Sequence, residues 1–278
     1  MQLFSNKMSE NATIYAIRSD VHGRIDLSRQ QFQEARKYAG LFDLGDVEAK
    51  YIGRFHPLRK GQQKDEQTMD AIVRNAVDTD GTLTSVAQKA IQDTLVSVEL
   101  MSSHLRENLG DRLFYRALAG NAAESWIKVF EAISNPDQQD NLKHLFDEFD
   151  LISDCSLEEI GSSVMVYLPW KASPTTLETT LANLDGYDPA RVVVLSHDYL
   201  TRPSLKPEWI SGIKPMQNEE QAIKTLDNLS QRDCEIVLCY GHIGFEYEPA
   251  EVKFRYLEKD MTAYHTDEKG GKLLELKL

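Results

Sequence analysis

Short β-prone runs alternate along this chain with longer stretches of helical periodicity, and run after run breaks off at an acid, amide or imidazole, mostly beside a glycine. Thr13-Ile14-Tyr15-Ala16-Ile17 stops at Ser19-Asp20-Val21-His22-Gly23, and Leu41-Phe42-Asp43-Leu44 stops at Gly45-Asp46. Leu113-Phe114-Tyr115-Arg116-Ala117-Leu118 leads to Gly120-Asn121. Arg191-Val192-Val193-Val194-Leu195 leads to Ser196-His197-Asp198, and Glu235-Ile236-Val237-Leu238-Cys239-Tyr240 to Gly241-His242. A helical pattern over 26–39, with Asp26 as candidate N-cap, separates the first two runs. Strand, helix, strand at this spacing predicts a βαβ unit and a parallel sheet. Ligands of open α/β sheets bind beyond the carboxyl ends of the strands. Asp20, His22, Asp46, Asn121, His197 and His242 are therefore expected to gather at one sheet edge. The adjoining glycines permit sharp turns and close backbone approach there.

Between the second and third runs, residues 47–110 are polar and helix-prone. Met69, Ile72, Val73 and Ala76, then Val86, Ala90, Ile91, Leu95, Val98, Met101 and Leu105, recur at helical spacing. This predicts amphipathic helices broken near Asp78-Thr79-Asp80-Gly81. The block reads as a helical insertion in a single domain spanning 1–278. Its open roles are a specificity cap, a dimer interface and a stabilising subdomain. Beyond it, helices are predicted over 122–134, 138–148, 175–184 and 217–230. Strands are predicted around 151–154 and 163–168, with final short strands from Phe254 to Leu278 and a turn at Gly270-Gly271.

Composition narrows the classes. A hydrophobic fraction of 41% in 278 residues supplies a substantial core. A formal net charge of −13 disfavours broad contact with nucleic-acid phosphates or anionic membranes. The three cysteines, Cys155, Cys234 and Cys239, show no paired spacing and fit a reducing compartment as buried small hydrophobes. No secretory leader is legible, and no run approaches the ~18 apolar residues of a membrane span. A cytoplasmic location is the expectation.

Carboxylate and imidazole together suit Mn, Fe, Zn or Ni. A carboxylate shared by two such ions holds them roughly 3.5–4 Å apart, polarises a phosphoryl group and makes a metal-bound hydroxide available near neutral pH.

The motifs Asp20-Val21-His22-Gly23, Gly45-Asp46, Gly120-Asn121, Ser196-His197-Asp198 and Gly241-His242 resemble, in order, those of the calcineurin-like metallophosphoesterases. The resemblance spans roughly residues 13 to 245. It implies an α/β fold in which two mixed β-sheets pack as a sandwich flanked by helices. It also implies two divalent metal ions: Asp20 and His22 on the first, Asp46 bridging, and Asn121, His197 and His242 on the second. Asp46 and Asn121 are the catalytic candidates. The implied activity is hydrolysis of a phosphomonoester or phosphodiester, with a small phosphoester or nucleotide as substrate. Neither membrane nor extended nucleic acid is expected as a partner.

Two positions depart from the family pattern. Ala122 stands where the third motif continues with a histidine, and Gly244 where the fifth ends in one. The first metal would lose one protein ligand and bind weakly, and a general acid would be missing. His56 or His104 of the inserted block is a candidate replacement. These losses keep open an alternative, a catalytically impaired scaffold that binds protein or ligand. Other residues retain two readings. Arg24 is a substrate-phosphate ligand or a surface ion pair. Asn121 is a ligand, an N-cap or both. Glu124 and Asp198 are outer-sphere groups or simple turn residues. Trp126 and Trp170 are packing or stacking residues.

Overall fold

The computed structural model describes residues 13–19, 25–45, 71, 73–109, 114–120, 128–147, 151–170, 173–197, 219–243, 250–267 and 273–278. The first sheet holds β1 (Ile14–Arg18), β2 (Gly40–Asp43), β3 (Phe114–Ala117) and β10 (Leu274–Lys277), ordered β10-β1-β2-β3. Its three early strands run parallel, and β10 runs antiparallel to β1. The second sheet is ordered β4-β5-β6-β7-β9-β8. It comprises β4 (Ser156–Ile160), β5 (Ser163–Leu168), β6 (Arg191–Ser196), β7 (Glu235–Ile243), β8 (Ala250–Tyr256) and β9 (Lys259–Asp267). Its four inner strands β5, β6, β7 and β9 are parallel, and both edge strands are antiparallel. Two mixed sheets are thus present, as expected.

Side-chain alternation along the strands stacks the layers. Tyr15 and Ile17 of β1 and Phe42 of β2 face Met165, Tyr167, Val193, Leu195, Val237 and Cys239 across the space between the sheets. Val192 and Val194, on the other face of β6, pack with α4 (Pro174–Asn183) and α5 (Glu219–Ser230) through Leu177, Leu181, Ala222 and Leu226. Ala16 and Leu41, on the other face of the first sheet, pack with Phe32 and Ala35 of α1 (Ile25–Ala35) and with Leu105. The result is a four-layer helix–sheet–sheet–helix sandwich. A polar clasp also joins the sheets. Arg116 of β3 holds Glu158 of β4 with both arms, at 2.8 and 3.1 Å, and Tyr167 donates to the same carboxylate at 2.6 Å.

The block 47–110 contributes one long described helix, α2 (Ser85–Leu109). Thr84 caps it by accepting from the Ala87 amide at 3.2 Å. The predicted break is real: Gly81, at φ +79, closes a turn whose amide donates to Asp78 O at 2.9 Å. α2 lies against α1. Met101 is fully buried, and Arg36 donates to Asn108 O at 3.0 Å.

Other expectations shift. The strand placed at 151–154 is reduced to a single bridge between Ile152 and Leu118. The strand proper is β4, four residues later, turning into β5 at Gly161 with φ +62. Its half-buried edge position tolerates Glu158 and Glu159, which hid its apolar pattern. The tail forms a long hairpin, β8–β9, that begins before Phe254 and turns at Leu257, whereas Gly270-Gly271 lies outside the described residues. α3 (Pro136–Asp147) matches the helix expected at 138–148.

Cys155, Cys234 and Cys239 are free thiols. Burial pushes Cys155 up to about 12 and raises Cys239 as well, so both stay protonated packing groups. Among the described residues, no helix is long and apolar enough to cross a membrane.

His265 of β9 is a buried imidazole stacked edge-on against Tyr240 at 4.8 Å between ring centroids. Burial lowers its pKa from 6.5 to about 4. Between those values the unfolded chain binds the proton that the folded chain refuses, so stability rises with pH across that window. The contribution is complete above about pH 6.5. It fades as pH falls towards 4, by on the order of 3 kcal/mol in total. Urea titrations at pH 7 and pH 4.5 should show a smaller loss in His265→Phe than in the parent, by roughly 2 kcal/mol or more. Equal losses would mean the imidazole is not held neutral.

Candidate functional site

The carboxyl ends of strands from both sheets converge. His197 follows β6 directly and continues the alternation that turns Val193 and Leu195 towards the inter-sheet space. It is fully buried. Its Nδ1 lies 2.8 Å from Leu44 O, at the end of β2. A carbonyl oxygen can only accept, so Nδ1 carries the proton and Nε2 keeps its lone pair. Backbone carbonyls fix histidine ligands in this way, orienting the ring for a metal at the other nitrogen.

Gly45 comes next, at φ +114, and a Cβ there would sit 2.5 Å from His197 Nδ1 and 3.0 Å from the Gly120 Cα. Only glycine fits both the torsion and the space. β3 arrives beside it: Leu118 N donates to Asp43 O at 2.8 Å. Trp170, just past β5, donates its backbone N–H to Ala119 O at 3.0 Å and sets its ring edge-on to His197 at 5.7 Å. Leu44-Gly45, Ala119-Gly120, Trp170 and His197 therefore meet at one seam between the sheets.

Most of the sequence-derived set lies outside the described residues: Asp20, His22, Arg24, Asp46 and Asn121, and with them Ala122, Glu124, Asp198, Gly244, His56 and Trp126. His242 lies on β7, but its side chain is likewise outside them. In sequence, Asp46 and Asn121 directly follow Gly45 and Gly120, two of the touching glycines. The register between β7 and β9 also breaks between Tyr240 and Ile243, across the segment that carries His242. Irregularities of this kind re-aim strand residues beside functional sites. Among the described residues, no group of three or more His, Cys, Asp or Glu could hold a metal ion. The described part provides one candidate donor, the imidazole of His197 oriented through Nδ1, beside a turn that only glycine fits. His104, by contrast, lies on α2 beside Leu105, half-buried, with its Nδ1 buried and lacking a hydrogen-bond partner.

Two buried charges escaped the sequence reading. Arg18, the last residue of β1, places its Nε 2.6 Å from Asp43 Oδ2, the last residue of β2. Both side chains are 1% exposed or less. The guanidinium also reaches Gln31 Oε1 at 3.3 Å and lies 4.3 Å above the Phe32 ring. The other Asp43 oxygen accepts the Gly45 amide at 3.3 Å. Two apolar runs each carry one charge of opposite sign close to the turn, Arg18 two residues before Asp20 and Asp43 three before Asp46, with nothing in the sequence to pair them.

No protein-family model matches the chain, and no curated protein matches it. Solved structures do. One is YfcE, a phosphoesterase from E. coli, at 13% identity and a TM-score of 0.33, covering 95% of this chain and 88% of that one. Another is a metallophosphoesterase from Sphaerobacter thermophilus, at 15% identity and a TM-score of 0.28, covering 66% of this chain and 60% of the other. Likeness at this level is likeness only; the chemistry proposed next is built on the chain's own residues.

Proposed function

We propose that the seam is a metal-dependent phosphoesterase site acting on a small phosphomonoester or phosphodiester. The observation that carries this is the 2.8 Å contact from His197 Nδ1 to Leu44 O, which joins the second sheet to the β2 turn and prepares Nε2 as a ligand. Asp20, His22, Asp46, Asn121 and His242 complete the proposed donor set, with Asp46 as the shared carboxylate. Divalent ions, when bound to such a set, polarise a phosphoryl group and activate water at neutral pH.

The chain's own tasks follow. His197 is oriented through Nδ1 by Leu44 O, so in the neutral imidazole Nε2 is the nitrogen offered to a metal. Gly45 keeps the β2 turn tight against His197, and Asp46 is the next residue in sequence. Trp170 walls the seam and limits water around the imidazole. The net charge of −13 favours small substrates over a long polyanion. Arg24 is the proposed partner of a substrate phosphate, through its planar fork.

The test is chelation followed by reloading. Protein stripped of metal should not turn over bis(p-nitrophenyl) phosphate or p-nitrophenyl phosphate, and manganese should restore turnover of at least one. His197→Ala should bind manganese at least tenfold more weakly, read by calorimetry. Unchanged turnover in stripped protein would remove the metal from the mechanism. Manganese binding without turnover of either ester would instead favour a binding scaffold.

A further inference from the structure

We infer that Arg18 and Asp43 are positioning residues for the metal ligands, acting through the backbone turns that present them; this rests on the phosphoesterase reading of the seam. The pair occupies the α1-covered face of the first sheet, opposite the inter-sheet face to which His197 belongs. It is in register across β1 and β2. Each partner sits at a branch point. Arg18 precedes Ser19-Asp20, and its carbonyl accepts the Leu44 amide at 2.8 Å. Asp43 accepts from Arg18 with one oxygen and from the Gly45 amide with the other, at 2.6 and 3.3 Å. Its own carbonyl accepts from Leu118 on β3, two residues before Gly120. One residue thus fixes the turn that leads to Asp46, and ties it through its carboxylate to the strand that leads to Asp20 and through its carbonyl to the strand that leads to Asn121.

An ion pair buried this deeply is a costly way to join two strands, because apolar side chains of similar volume commonly stabilise as well or better. What apolar side chains cannot supply is an acceptor for the Gly45 amide. That amide belongs to a residue at φ +114 packed on His197. The Arg18 guanidinium aims Asp43 through the Nε contact, and is itself held by the Gln31 bond and the face of Phe32. The pair therefore acts on the ligands through the backbone that leads to them.

The experiment compares the parent with Arg18→Met/Asp43→Leu, which removes both charges, and with Arg18→Lys. Manganese affinity is measured by calorimetry, and thermal midpoints are recorded on the same samples. The double variant should keep a cooperative transition near the parent's while binding manganese about 10–100-fold more weakly, as when outer-sphere partners of metal ligands are lost. Arg18→Lys keeps a charge but neither the fork nor the stacking, so roughly a 3–10-fold loss is expected. Parent affinity in a folded double variant would overturn the proposal and reduce the pair to a structural role. If the double variant does not fold, Arg18→Lys decides alone, and affinity within twofold of the parent overturns it. A parent that binds no manganese overturns the phosphoesterase reading itself, and the positioning role with it.

Discussion

Asp46→Asn is expected to abolish phosphoester turnover in manganese while leaving the fold intact. In the proposed donor set Asp46 is the shared carboxylate. An amide there would offer one neutral oxygen in place of a carboxylate's negative charge, a much poorer group for two cations to share. Losing the bridge removes both the attraction that holds two ions together and the alignment of nucleophile and phosphorus. Each of these is worth several kcal/mol of barrier, so a fall of about 10³-fold or more is expected. Asp46 follows the Gly45 turn, whose backbone is anchored through Asp43 and His197, so the substitution disturbs no described core contact. Circular dichroism and the thermal midpoint should match the parent. Full activity in Asp46→Asn would refute the proposed mechanism.

Gly45→Ala should have the largest effect on stability and should also abolish metal binding. Two costs add. A side chain at φ +114 is strained by about 1–3 kcal/mol. Its Cβ would also stand 2.5 Å from a ring nitrogen and 3.0 Å from a backbone carbon, neither of them a flexible side-chain end. Overpacking of that kind costs a further 1–3 kcal/mol or so. A combined loss near ~3 kcal/mol lowers the melting temperature of a chain this size by roughly 6–12 °C. Relief requires either His197 or the Gly120 backbone to retreat, and each retreat opens the seam. A melting temperature within a degree or two of the parent, with manganese affinity intact, would show that the turn is not built as described.

The fold was legible where periodicity and burial coincide. Val192-Val193-Val194-Leu195 is apolar on both faces because one face meets the first sheet and the other meets α4 and α5. Gly45 marked a turn because the chain needs positive φ there. β4 was displaced in the reading because an edge strand pairs on one side only, so Glu158 can stand in it and serve the clasp to Arg116. The site was partly legible. His197 stands out in the sequence because it ends a strand, and the structure sets its Nδ1 on Leu44 O. Arg18 and Asp43 were missed because a single charge in an apolar run carries no hint of its partner. Only the parallel register, which sequence does not state, sets the two opposite each other. Trp170 was read mainly as packing, and only the tertiary fold reveals that it lies edge-on to His197.

The pairing of β1 with β10 has a consequence for how the molecule is made. Ile14 to Ile17 find their antiparallel partners in Leu274 to Lys277, which follow all the other strands in the chain. Until then β1 offers a bare hydrogen-bonding edge, a template on which another nascent chain can add a strand. Contacts so distant along the chain also form late and slowly. The first sheet is thus completed only after β10 has been made, although β1, β2 and β3 precede every strand of the second sheet, and chaperone protection would be needed most in that interval.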